Sequence, residues 1–440
     1  MQANDPQVPA TARQGSDTQP DWSWVEASIW TDRMLAALGN GVEGGRWFSL
    51  IDKVYRPQTL RLAWQRVLRN RGAAGVDRQS VLAFGAQAER YLTELSEALR
   101  SGSYRPQPVK RVEIAKGPGQ TRPLGIPTVK DRIVQTAMRL VIEPIFESEF
   151  VEGSYGFRPG RSAKDALRAV DVLLKAGYTH VVDADLKSYF DTIPHAALMD
   201  QVRARISDGR VLSVLQSWLA QDIVSEVAQW TPTQGTPQGA VISPLLSNLY
   251  LHPLDEQMAA RGFRMVRYAD DFVVLCATAA DADAALVEVR RWVDAHGLTL
   301  HPDKTRIGNC QVPGQGFDFL GYRFEAGRRQ VRQKSWRKVR ERIRALTPRR
   351  SSGQSLRALI ARLNPVLRGW YGYFKHAHRL TFARLDGFVR RRLRAILRAH
   401  QKRRGQGHTL SDHQCWPNSF FAAHGLFTLH AARVAESQSR

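Results

Sequence analysis

The run RMVRYADDFVVLC, Arg264 to Cys276, alternates apolar and polar residues as two strands around a tight turn would, yet it sets Asp270 and Asp271 side by side at that turn. Carboxylates at the end of a buried hairpin lose hydration that only a counter-ion or hydrogen bonds can replace. A second pair closes another apolar run: Asp183 and Asp185, in YTHVVDADLKSYF, are two residues apart, so both side chains leave one face of a strand. Like charges gathered in this way raise each other's pKa and oppose folding unless a multivalent ion neutralises them. A donor set of carboxylates suits Mg²⁺, with Mn²⁺ as the alternative, over zinc. Two such ions, roughly 3.5–4 Å apart, form the clamp for in-line phosphoryl transfer, which makes nucleotidyl transfer the leading chemical expectation.

At 440 residues the chain exceeds the roughly 250–300 at which single cores stop growing, so two or three domains are expected. Its three cysteines, Cys276, Cys310 and Cys415, lie far apart with no CxxC pair, which argues against a disulfide framework or a zinc ribbon and favours an intracellular setting. No apolar run approaches the ~18 residues of a membrane span, so no membrane partner is expected. The polar start, residues 1–20, has no hydrophobic signal core and reads as a disordered tail. The formal net charge is +23, and its placement matters more than its size. Residues 328–404 hold 25 Lys plus Arg against two acids, Glu341 and Asp386, whereas residues 1–327 hold 37 of each sign. A positive field confined to 77 residues implies an anionic polymer as partner.

Along the chain, residues 21–80 read as a helical extension anchored by Trp22, Trp24, Trp30, Trp47 and Trp64. YRPQPVKRVEIAK, the GPGQ turn and TRPLGIP form a basic hairpin. A helix is expected from Val129 to Phe150, interrupted near Pro144, and another with Ser162 as its cap. Helical patterns fill 196–220, and the glycine- and proline-rich TPTQGTPQGAVISP precedes a helix near Leu245 to Ala259. Within the basic segment, Trp336, Val339, Ile343 and Leu346 share one helical face, and Phe382, Leu385, Val389, Leu393 and Ile396 repeat the pattern with arginines between them. Helices alternating with antiparallel hairpins make the class α+β.

Nine blocks in order carry a resemblance: NRGAAGVD, RPLGIPTVKDRIVQ, SYGFRPGRSAKDAL, VVDADLKSYFDTIPH, GTPQGAVISPLLSNLYL, RYADDF, GLTLHPDKT, FDFLGYRF and LNPVLRGWYGYF. From about residue 45 to 430 the chain resembles the reverse transcriptase/maturases encoded within group II introns. The resemblance implies a right-hand polymerase fold with fingers and palm over 81–327. It implies a basic helical thumb and maturase domain over 328–404, followed by a tail at 405–440. It implies an RNA-directed DNA polymerase that copies intron RNA and assists its folding and splicing. Its partners would be group II intron RNA, a DNA primer and target DNA, and dNTPs; its setting would be the prokaryotic cytoplasm, and a homodimer is compatible with it. Many relatives carry a C-terminal endonuclease with paired cysteines, but Cys415 and the nearby histidines have no ligand-like spacing, so a metal nuclease is not expected in this chain.

By the same resemblance, Asp185, Asp270 and Asp271 are the metal-binding carboxylates, with Asp183 a neighbour. Lys116 and Arg122 flank the hairpin turn and would hold the triphosphate. Phe190 would lie under the incoming sugar, although read alone it is a core aromatic. Gln238 and Gly239 would lie against the nascent pair, and Phe319 to Gly321 would grip the primer end. Lys304 matches a proton donor to pyrophosphate, with a surface lysine as the alternative. Arg158 is left between template contact and packing. Asp191 reads as the cap of the helix beginning near Pro194. Arg390, Arg391, Arg392, Arg394 and Arg398 are expected to contact RNA phosphate, while the GWYGYF aromatics favour packing over base stacking. A splicing factor with a dead polymerase, and a reverse transcriptase recruited to defence or repair, stay open as other readings.

Overall fold

The computed structural model describes residues 22–117, 119–348, 354–403 and 405–438. The expected tail at 1–20 and part of the loop between the basic helices lie outside the described residues. The chain divides into two compact units, Met1–Phe150 with Arg158–Gly160 and Phe190–His252, and Val151–Phe157 with Arg161–Tyr189 and Pro253–Arg440. The strands among the described residues are, in chain order, β1 (Val109–Gly117), β2 (Gln120–Ile126), β3 (His180–Asp185), β4 (Ile223–Val224), β5 (Gln229–Trp230), β6 (Arg264–Tyr268), β7 (Asp271–Cys276), β8 (Arg306–Asn309), β9 (Phe317–Phe319), β10 (Tyr322–Glu325) and β11 (Arg328–Val331).

The first unit is organised by the Val129–Glu147 helix, buried almost all round. Thr128 caps its start by accepting from Asp131 N. Sequence predicts an interruption near Pro144, but the helix runs through it. A proline frees the carbonyl four residues back, and here Leu140 O accepts a bond from Trp30 Nε1 at 3.2 Å instead. The basic hairpin forms as read, β1 antiparallel to β2 with a bulge between Ala115 and Gly117, in a sheet ordered β2-β1-β4-β5. The helical stretch at 196–220 is in fact two helices, His195–Arg205 and Gly209–Leu219. Asp208 separates them as the cap of the second, and its other oxygen accepts from Leu50 N and Ile51 N.

The second unit centres on an antiparallel sheet ordered β6-β7-β3-β8. Two amphipathic helices pack on it, Ala163–Lys175 and Ala279–Ala295, each opened by a capping box, Ser162 with Asp165 and Thr278 with Asp281. The smaller β11-β10-β9 sheet leads into the helices Gln333–Leu346, Leu356–Phe374 and Leu380–His400. The apolar faces read from sequence are buried, with Trp336 only partly so: Val339, Ile343 and Leu346 on the first, and Phe382, Leu385, Val389, Leu393 and Ile396 on the third. Both join one core with Phe319, Phe324, Tyr371 and Phe374. Trp370 packs on Phe374 and Trp336, so the GWYGYF aromatics pack within the helical core.

Candidate active site

The two acid pairs meet in the second unit. Asp185 ends β3, Asp271 begins β7, and the antiparallel register sets them directly opposite each other. Opposed residues on a sheet hold their Cβ atoms about 4.5–5.5 Å apart, a distance at which two carboxylates repel. Lys304 Nζ reaches Asp185 Oδ2 at 2.8 Å, and Arg306 reaches Asp183 at 3.3 Å. With Asp270, Asp303, Asp318 and Arg332, these residues line one cavity of about 370 Å³. Burial raises the pKa of Asp183, with Arg306 opposing. Asp271 is pushed up to about 7, first by desolvation and then by Asp183, Asp270 and Asp185. The part of that rise contributed by the three like charges is the part that a bound cation would reverse.

These oxygens suit a hard divalent ion in chemistry and in charge. Three of them do not converge on one point: among the described residues no group of three His, Cys, Asp or Glu side chains is placed to hold a metal. Asp185 is bonded to Lys304 instead. The turn between the strands is set from below. Arg267, fully buried on β6, donates from Nε to Asp255 Oδ1 at 2.7 Å, from Nη2 to Asp255 Oδ2, and from Nη1 to the carbonyl of Ala269 at 2.9 Å. Ala269 is held in the left-handed region at φ 60°, directly before Asp270. Gly156 packs so tightly here that a Cβ would meet Ala269 N at 2.1 Å. The turn at Leu320 and Gly321 is held from the helical side: Tyr373 Oη donates to Leu320 O at 2.8 Å, and Arg332 N to Gly321 O at 2.9 Å.

The remaining nucleotide-binding candidates lie in the first unit. Arg122, on β2 opposite Ile114, donates from Nε to Gln238 Oε1 at 2.7 Å. Gly125 N bonds Gln238 O at 2.6 Å, and a Cβ on Gly239, at φ +113°, would lie 2.5 Å from Gly125 O. Glycine at 239 thus lets the TPQG loop close on the hairpin backbone. Lys116 has its backbone in β1, and its side chain lies outside the described residues. Phe190 is buried, its carbonyl accepting from Thr236 N at 2.7 Å. The expectation for Asp191 is corrected: it lies in the turn Tyr189–Thr192, while the helix at His195 has Pro194 at its cap and no side-chain bond. Asp191 is an exposed residue whose carboxyl is nonetheless raised in pKa by desolvation, against the pull of Arg111 and Arg122. Arg158 is a packing residue, forked on Glu147 at 2.7 and 2.9 Å and bonded to Phe150 O at 3.2 Å.

Comparison with known proteins gives the family. Residues 114–324 match the reverse transcriptase (RNA-dependent DNA polymerase) family, and residues 336–416 match the group II intron maturase-specific domain. Protein YkfC of Escherichia coli K12 is 36% identical over 315 residues, covering 62% of this chain and 82% of YkfC. The group II intron-encoded protein LtrA of Lactococcus lactis is 36% identical over 202 residues. The chain belongs to the group II intron-encoded reverse transcriptase/maturases. Its match with LtrA covers 46% of this chain and 33% of LtrA. Among solved structures, a partial Cas6-RT-Cas1--Cas2 complex aligns at TM-score 0.36 and 25% identity, over 56% of this chain and 42% of that one. Telomerase from Candida albicans aligns at TM-score 0.39 and 13% identity, over 73% and 64%.

In this reverse transcriptase/maturase, the five arginines expected on RNA divide. Arg391 is exposed. Arg394 corrects the expectation: 2% exposed, it donates to Trp416 O at 2.9 Å and to Asn418 Oδ1 at 3.0 Å and lies over the Phe421 ring, so it ties the C-terminal segment to its helix. Arg392 donates to the Thr347 hydroxyl at 3.1 Å and to its carbonyl, and Arg398 to Asp412 at 2.6 Å. Burial lowers the pKa of Arg390, with Asp386 opposing. Sequence reasoning missed Arg267 with Asp255, although an arginine amid the apolar alternation of β6 is a signal that a buried acid must meet it. It also missed Arg306, Asp318 and Arg332, whose distance in sequence hid their shared cavity. No helix among the described residues is long and apolar enough to cross a membrane.

Proposed function

We propose that this chain extends a DNA primer along group II intron RNA with dNTPs, and binds that RNA as a maturase, in support of intron mobility. The observation that carries the reading is the Asp185–Asp271 opposition, with Asp270 at the adjoining turn and Lys304 on Asp185 in one cavity. Asp185, Asp270 and Asp271 would hold Mg²⁺, with Mn²⁺ as a substitute, once Lys304 releases Asp185. When bound, such ions stabilise negative charge on phosphoryl oxygens and lower the pKa of an attacking hydroxyl.

The chain's own groups carry the remaining roles. Arg122 and Lys116 bind triphosphate oxygens, with Arg122 exchanging Gln238 for phosphate. Gln238 and Gly239 form the loop against the new base pair, and Phe190 excludes a 2′-hydroxyl. Lys304, freed from Asp185, protonates the departing pyrophosphate. Residues 81–327 serve as fingers and palm and 328–404 as thumb and maturase region, in line with the order of the two family matches. Arg391, with Arg390, meets RNA phosphate. The test is primer extension on an RNA template with Mg²⁺, comparing the natural chain with Asp270→Asn/Asp271→Asn. The expected loss is about 10³-fold or more, the worth of several kcal/mol of charge stabilisation. Equal product from both chains would overturn the assignment.

A further inference from the structure

We propose that a groove between the Ala163–Lys175 helix and the β9–β11 sheet binds the phosphate backbone of a nucleic acid, at a site separate from the carboxylate cavity. Lys164, Arg168, Asp171 and Lys175 recur at helical spacing, so they share one face of that helix. They line a cavity of about 360 Å³ with Arg329 of β11 and Arg433 on the other side. A second cavity of about 290 Å³ shares Asp171, Lys175 and Arg329 and adds Arg328. No residue lines both this groove and the carboxylate cavity.

The groove gathers Lys164, Lys175, Arg328, Arg329 and Arg433, with Arg168 paired to Asp165 at its edge, around two lining acids that are already engaged. Asp171 serves both Lys175, at 3.0 Å, and Arg329, at 3.5 Å. Glu325 is taken by Arg323 at 2.8 Å and by Gly314 N at 3.0 Å. Arg329 is the residue that makes this more than a solvated charged face. Its side chain is only 22% exposed, and its Nε is fixed on His376 O at 3.1 Å beside the buried Tyr322 ring. A part-buried guanidinium with a share in one carboxylate favours a further anion, and its planar fork matches phosphate oxygens. Length selects the class of anion. Lys164 and Lys175 are about 16 Å apart along the helix axis, beyond the reach of one phosphate group but suited to consecutive phosphates of a strand. That the polymer is a nucleic acid rests on the polymerase and maturase reading above.

The test uses the full chain and the Lys164→Gln/Lys175→Gln/Arg433→Gln variant, with side chains at the groove edge. Binding of a fluorescein-labelled 30-nucleotide RNA hairpin and of a DNA duplex of equal charge is measured by anisotropy across a salt series, alongside primer extension on a short primer–template. The variant should bind at least one probe about tenfold more weakly, and its slope of log affinity against log salt should fall by up to about 3, at ~0.9 per lost phosphate contact. Whichever probe weakens identifies the strand, and extension at saturating primer–template should be unchanged. Unaltered affinity and slope on both probes would overturn the groove while leaving the polymerase reading intact. Conversely, weakened binding by the variant together with no primer extension by the natural chain would keep the groove and remove the polymerase.

Discussion

The carboxylate cavity and the arginine-rich helices both collect like charge, and they handle it in opposite ways. In the cavity, six acids face three cations, and desolvation together with that imbalance pushes Asp271 up to about 7. Along the Leu380–His400 helix, several arginines are engaged one by one: Arg394 by a carbonyl and a ring, Arg398 by Asp412, Arg392 by Thr347. A cluster kept uncompensated is a site awaiting a ligand, whereas a dense run of one sign can be largely structural. A charge count along the chain does not distinguish the two. The partners of each group do.

The largest expected effect probes the basic side of that contrast. If enough cations remain outward to make roughly 6–10 phosphate contacts, affinity for intron RNA falls by about 10³–10⁵ between 50 and 200 mM salt. A flat titration by filter binding would mean that intramolecular contacts have consumed the field. Next in size is Arg267→Ala, which leaves Asp255 buried without its partner. A loss of about 3–5 kcal/mol is expected from urea unfolding, as for other broken buried pairs. A loss within ~0.5 kcal/mol, as at an ordinary surface site, would deny Arg267 its part in holding the turn.

Arg394→Gln and Arg391→Gln sharpen the comparison within one helix. The first should cost about 1.5–3 kcal/mol of stability through its lost charged hydrogen bonds. The second should leave stability within ~0.5 kcal/mol and weaken RNA binding. Identical behaviour of the two variants would erase the division between structural and outward arginines. The smallest effect tests the acidic side. The Asp271 carboxyl is raised to about 7 in the folded chain from its ordinary value of 3.8, so its protonated form favours the folded state. That contribution is complete below about pH 4 and is lost as the pH rises through 7. The metal-free natural chain should therefore lose melting temperature relative to Asp271→Asn over that window, and Mg²⁺ should recover the difference. Parallel melting curves for the two chains from pH 5 to 8 would refute the crowding of charge.

Several elements were legible in advance because they depend on local periodicity: the β6–β7 hairpin, the Ser162 cap and the buried faces of the basic helices. Others were misread because a distant partner overrode a local rule. Pro144 does not end its helix, since Trp30, more than a hundred residues away, takes the carbonyl that proline leaves free. Asp191 is an acceptable cap by type, but the chain places it one turn too early, within the field of Arg111 and Arg122.

By itself the sequence determined that four acids end two strands, that positive charge is confined to one helical segment, and that ordered motifs place the chain among reverse transcriptases. Those properties follow from residue type and short-range spacing. Only the tertiary structure decided that Asp185 faces Asp271 while Lys304 holds it, that Arg267 supports the turn from below, and which arginines point inward. Each depends on a contact between residues far apart in the chain, and burial changes the free energy of a charge far more than its neighbours in sequence do.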